Sequence, residues 1–148
     1  MTRQGTRRAA LATAVAVGVA LGGCGDDAPS RQEFVADANE ICKRHHARIS
    51  EAASRVLAGG RLPSPREFGE LARETIIPEY TAQIEELRAV EPSEGEAEEF
   101  RAWLDESAEL RERLEQNPTI IQNPRMLEPV NAEVGQLGLA PECRIGPG

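Results

Sequence analysis

Cys42-Lys43-Arg44-His45-His46 is the one stretch of this sequence in which residues capable of chemistry stand close together. Thiolate sulfur and imidazole nitrogen are the ligands that zinc and copper favour. On a helix, Cys42 lies three and four positions before His45 and His46, so the thiol and one imidazole can share a face. A metal site takes three or four ligands, however, and these are the only two histidines in the chain. Lys43 and Arg44 also disfavour a cation. A c-type haem needs Cys-x-x-Cys-His, which is absent. The Glu-x-x-His motif of di-iron bundles fails because Cys42 and Lys43 occupy the positions three before the histidines. No metal is assigned. His45 and His46 remain its only candidates, read first as a partly buried and a surface imidazole.

Other chemistry is not signalled. The acidic run Glu91 to Glu99 lacks the aspartate spacing of a calcium loop, and carboxylates at a helix start are favoured by the helix dipole in any case. There is no Gly-x-Ser-x-Gly, His-Glu-x-x-His or phosphate loop. The expectation is a protein with no catalytic residues and no cofactor.

Capping signals and periodicity place these residues on helices. Ser30-Arg31-Gln32-Glu33 fits a capping box. Phe34, Ala38, Ile41, His45, Ile49, Ala52 and Val56 follow in steps of three and four, predicting a helix over about 31–58 that ends at Gly59-Gly60. Ser64-Pro65-Arg66-Glu67 is a second box with proline at the first helical position. Its stripe runs from Phe68 to Leu87, and Pro78 within it predicts a kink or break, because proline removes one hydrogen bond and clashes with the carbonyl four residues back. A third start at Ser93 to Glu96 leads a stripe of Phe100, Trp103, Leu104, Leu110 and Leu114. Asn117 to Arg125, with two Asn-Pro pairs, reads as a loop with one apolar knot at Ile120-Ile121. A short helix is expected over about 127–137, capped by Gly138. The expected fold is all-α: an antiparallel bundle of three long helices plus a short C-terminal helix, the second helix kinked near Pro78.

The N-terminus has a different character. Arg3, Arg7 and Arg8 precede Ala9 to Leu21, an uncharged run of 13 residues, the pattern of an export signal. As a helix this run would reach roughly 20 Å, short of the ~30 Å hydrocarbon layer. Leu21-Gly22-Gly23-Cys24 follows and resembles the lipobox of bacterial lipoproteins. That resemblance implies that residues 1–23 are removed and that Cys24 becomes the mature N-terminus, carrying a diacylglyceryl group and an acyl chain. Residues 24–30 would then be an acidic tether and 31–148 the folded domain. Two or more acyl chains hold a protein firmly at a membrane. The implied location is the extracytoplasmic face of the cell membrane.

The leader carries three arginines and no acid, so its removal takes the net charge from −8 to about −11. Such a surface repels phosphate backbones and anionic lipids, which excludes nucleic acid as a partner.

Removing Cys24 from the count leaves Cys42 and Cys143, and leftover cysteines in exported proteins tend to pair. Cys42 stands about 17 Å along the first helix. If the final helix descends from the far end, an extended tail, Leu139 to Cys143, continuing downward reaches that level. The bridge would close a loop of about 100 residues, worth up to ~4–5 kcal/mol. Val35-Ala36-Asp37-Ala38-Asn39-Glu40-Ile41-Cys42 and Leu137-Gly138-Leu139-Ala140-Pro141-Glu142-Cys143 also resemble small helical lipoproteins of actinobacteria with one early and one late cysteine. That likeness implies a fold and no activity. The functional expectation is a membrane-anchored, non-enzymatic binding module with an envelope partner. The alternative is a carrier of a small ligand or metal that uses the helix-one histidines and the bundle interior.

Overall fold

The structure is a computed structural model and describes residues 28–58 and 60–146. The leader 1–23, the lipobox Leu21-Gly22-Gly23-Cys24, the start of the tether, and Gly59 lie outside the described residues. All regular structure among the described residues is helical, and no helix there is long and apolar enough to cross a membrane.

Helix α1 spans Arg31–Leu57. Its capping box is complete: the Ser30 hydroxyl accepts from the Glu33 N–H, and the Glu33 carboxylate accepts from the Ser30 N–H. Past its end, Gly60 takes φ +69° and donates its N–H to Leu57 O at 3.1 Å. Helix α2 (Pro65–Leu71) starts from the second capping box at Ser64 and Glu67.

A π-helical turn, Ala72–Ile76, joins α2 directly to helix α3, Ile77–Leu87. The helical path therefore continues through Pro78, and the irregularity falls in the turn before it. The Ile77 N–H reaches back five residues to Ala72 O. Proline cannot donate to the Glu74 carbonyl and its ring would collide with it; one extra residue in the preceding turn is the usual way a helix absorbs such a defect.

Helix α4 spans Ala97–Gln116 and starts later than the Ser93 signal suggests. The Ser93 hydroxyl donates to the Glu96 carboxylate and the Glu96 N–H to Ser93 O, so these residues close a turn of their own ahead of the helix. The expected loop after α4 is largely ordered. A 3₁₀ turn, Pro118–Gln122, precedes helix α5, Pro124–Gln136, which begins three residues before the expected 127. The Asn117 and Asn123 side chains each accept from the N–H two residues on, capping both segments, while each following proline needs no partner for a missing N–H.

Gly138 then reverses the chain. With φ +74°, it sets up paired bonds, Gly138 N–H to Gly135 O and Leu139 N–H to Val134 O, the Schellman arrangement. This corrects the expected route of the tail. Helix α5 already reaches the start of α1, where Arg31 Nη2 donates to Leu137 O at 3.4 Å. The tail climbs back along α1 instead of continuing downward. The Ala140 N–H donates to Asn39 Oδ1 at 2.7 Å, and Cys143 Sγ lies 2.10 Å from Cys42 Sγ. Asn131 on α5 holds the other side, donating to Ile145 O and accepting from its N–H, both at 2.9 Å.

The core joins α1 to α3, α3 to α4 and α4 to α5. At its centre Phe34 meets Phe100 edge-on with centroids 4.8 Å apart, and Trp103 stacks on Phe100 at 5.8 Å. The buried Trp103 Nε1–H donates to Val130 O at 3.1 Å.

Candidate functional site

Two places beside α1 bring functional side chains together. The first is built around His45. Phe34, Ala38, Cys42 and His45 recur on the core side of α1, and His45 is fully buried rather than partly so. Its ring sits between two carboxylates of α3. Nδ1 lies 2.7 Å from Glu79 Oε2 and Nε2 3.2 Å from Glu86 Oε1. Seven residues are close to two helical turns, so both glutamates present to the same face. Arg48 donates to Glu79 at 3.2 Å and Arg44 to Glu86. Burial pushes the Glu79 carboxyl upward, but hydrogen bonds and charge from His45 and Arg48 outweigh it and leave the group below the ordinary value. Glu86 is lowered by the same balance, with Arg44 in place of Arg48.

This lattice locks α1 to α3, and it separates the two histidines. His46 faces solvent, its Nδ1 3.4 Å from Ser50 Oγ. The sequence cluster Cys42, His45 and His46 therefore divides three ways: a bridge sulfur, a buried imidazole held between two carboxylates and a surface imidazole. Among the described residues no three His, Cys, Asp or Glu side chains are placed to hold one metal.

The second place is a cleft of about 350 Å³ on the other side of His46. Its apolar wall is built by Ala53 and Val56 of α1, Phe68 and Leu71 of α2, Ile76 of the π turn and Ile121 of the 3₁₀ turn. Its polar groups are His46 and Ser50 of α1, Gln83 of α3, and Glu142 and Arg144 of the tail. Tyr80 stands between the two groups. Its hydroxyl is buried toward Ser107 of α4, and neither forms a good hydrogen bond. Burial pushes the phenol up to about 12, so it stays protonated. The volume lies at the small end of the range for ligand sites, and a largely apolar lining with a few polar groups is their usual character. Leu57 of the cleft wall and Leu62, in the stretch ahead of α2, are 48% and 87% exposed.

No family model matches the chain, and neither does any curated protein or solved structure. The site must therefore be read from its own geometry.

Much of the cleft was hidden in the α1 stripe. Ile49 and Val56 have the spacing of core positions, yet both are half-buried cleft walls, as are Phe68 and Leu71. Periodicity reports that a residue faces inward; it does not report whether the partner helix arrives. The partners of His45 did carry a signal. Arginines flank it at Arg44 and Arg48, and Glu79 and Glu86 repeat at seven, so two complementary charged edges were present on two predicted helices.

Proposed function

We propose that the protein is an extracytoplasmic, lipid-anchored, non-enzymatic binding module, and that the cleft walled by α1, α2 and the tail is where it binds. The observation that carries this reading is the cleft itself: about 350 Å³ of largely apolar space with polar groups from α1, α3 and the tail. The anchor rests on Leu21-Gly22-Gly23-Cys24. The scaffold is an antiparallel bundle of three long helices, α1, α2 through α3, and α4, closed by α5. The meeting of Arg31 with both Glu96 and Leu137 at one end supports that arrangement. The tether enters at the start of α1, and the cleft lines the second half of that helix. The net negative charge of the mature chain weighs against nucleic acid as a partner.

The test is site-directed photo-crosslinking in intact cells. A photoreactive phenylalanine analogue replaces Leu57 at the cleft mouth, or Glu112 on the exposed side of α4. A discrete adduct from position 57 alone is expected, and its mass separates small cargo from an envelope protein, the second reading that exposed Leu57 and Leu62 favour. Equal labelling at both positions, or none at 57 with the analogue incorporated, overturns the reading. Metabolic labelling with an alkynyl fatty acid checks the anchor: label and membrane association are both expected to be lost in Cys24→Ala.

A further inference from the structure

The polar groups of the cleft are not scattered. On α1, His46 and Ser50 precede the apolar Ala53 and Val56; on α3, Gln83 follows Tyr80, with Ile76 of the π turn before both. Glu142 and Arg144 flank Cys143, which is bridged to Cys42 one turn before His46. The Gln83 amide donates to Cys143 O at 3.5 Å, which ties α3 to the same level. All five polar groups therefore stand toward the Cys42–Cys143 end, with the apolar Ile49 and Ile145 among them. Phe68, Leu71, Ile76 and Val56 line the other end, where no charged group contributes to the wall. A cavity with a wet end and a dry end matches a molecule with the same division.

We infer that the cleft takes a single-chain amphiphile, its alkyl tail against Val56, Phe68 and Leu71 and an acceptor-rich head such as a carboxylate at His46, Ser50 and Arg144. This deepens the binding-module reading and rests on it. The tail is driven in by burial of apolar surface, at about 0.8 kcal/mol per buried CH₂. The head follows from the donors. Arg144, His46 and Ser50 can each donate a hydrogen bond, whereas Glu142 is the only acceptor-only side chain of the five. The volume suits one medium-length chain rather than a diacyl lipid.

The full-length anchored protein in nanodiscs is photolabelled with a diazirine analogue of decanoate, and adducts are mapped by mass spectrometry. Labelling is expected within residues 46–57, 68–83 and 141–146 and should be displaced by decanoate. Ala53→Trp fills the dry end and is expected to abolish the adduct with the far-ultraviolet circular dichroism unchanged. Arg144→Ala, at an exposed position that threatens no core packing, is expected to weaken displacement by decanoate about tenfold while leaving displacement by decanol unchanged. Labelling spread over the surface, or undisplaced by decanoate, overturns the amphiphile assignment. So does equal loss for decanoate and decanol in Arg144→Ala, which would leave the head unassigned to that end. If in-cell crosslinking at Leu57 captures a different molecule while decanoate fails, the binding module stands and the ligand class falls; if both fail, both fall.

Discussion

His45 Nδ1 stands 2.7 Å from Glu79 Oε2, with the imidazole fully buried and the carboxylate reaching it from α3. The opposite nitrogen faces Glu86 Oε1 at 3.2 Å. The ring is thus held between two carboxylates of one helix face. Removing the ring leaves a void and two glutamates without their shared partner. His45→Ala is expected to lower stability by about 3 kcal/mol, since breaking a buried pair carries a larger cost than an exposed one. Glu86→Ala, whose side chain is 43% exposed, is expected to lose less than about 1 kcal/mol. Urea unfolding at matched pH reads both; a loss in Glu86→Ala as large as that in His45→Ala would overturn this ranking.

The same contacts fix a pH dependence. Glu79 and Glu86 both titrate below the ordinary glutamate value of 4.5 in the folded protein. A carboxyl whose folded pKa is lowered binds protons less readily than in the unfolded chain. Its contribution is fully present above the unfolded value and is lost as pH falls through the folded one. Stability is therefore expected to fall below pH ~4.5. In Glu79→Gln the acid limb of a melting-temperature profile should be shallower than in wild type.

Glu133 on α5 has the opposite sign. Burial raises its pKa first, and the charges of Glu106 and Glu99 on α4 add to the rise. At neutral pH the folded state bears an ionised carboxylate it disfavours, and protonation relieves it as pH falls. Glu133→Gln is expected to raise stability at pH 7 by a few tenths of a kcal/mol, with the gain fading in acid. Thermal melts across pH measure it, and a loss at neutral pH would refute the repulsion.

The bridge between Cys42 and Cys143 spans 101 residues. Losing it should cost up to ~4–5 kcal/mol by loop-closure entropy. Because Glu142, Arg144 and Ile145 flank the cleft, Cys143→Ala should also free a wall of the site. Limited proteolysis is expected to trim the tail of this variant first. In the proposed lipoprotein, with Cys24 acylated, a thiol count should find none free; two free thiols would refute the bridge.

Helix existence was legible in this sequence where a cap and a stripe agreed. Ser30 and Glu33, Ser64 and Glu67 each marked a start to the residue. At Ser93 the same letters misled: the hydroxyl meets the Glu96 carboxylate as it does in the other two boxes, but the Glu96 N–H bonds to the Ser93 carbonyl, which closes a turn, and the helix begins only at Ala97. The π turn at Ala72–Ile76 was legible only as trouble near Pro78; whether a helix bends, breaks or widens depends on what packs around it. The cleft was least visible. Ile49 and Phe68 are core-like residues that stay half-covered where they wall the cleft.

Two glycines three residues apart should answer alanine with opposite signs. Gly135 lies inside α5, and a Cβ there would meet nothing within 4 Å. Gly135→Ala removes backbone freedom from the unfolded chain and strengthens the helix, so a gain of about 0.5–1 kcal/mol is expected. Gly138 sits at φ +74°, where an L side chain is strained, and its Cβ would stand 3.1 Å from Arg31 Nη2. Gly138→Ala is expected to lose about 1–2 kcal/mol. Because this residue turns the tail back toward Cys42, the loss should appear with slower re-formation of the Cys42–Cys143 bond after reduction. Refolding in a glutathione buffer, followed by thiol trapping, measures both. If Gly138→Ala re-forms the bridge at the wild-type rate, the reversal at Gly138 does not guide the tail to α1.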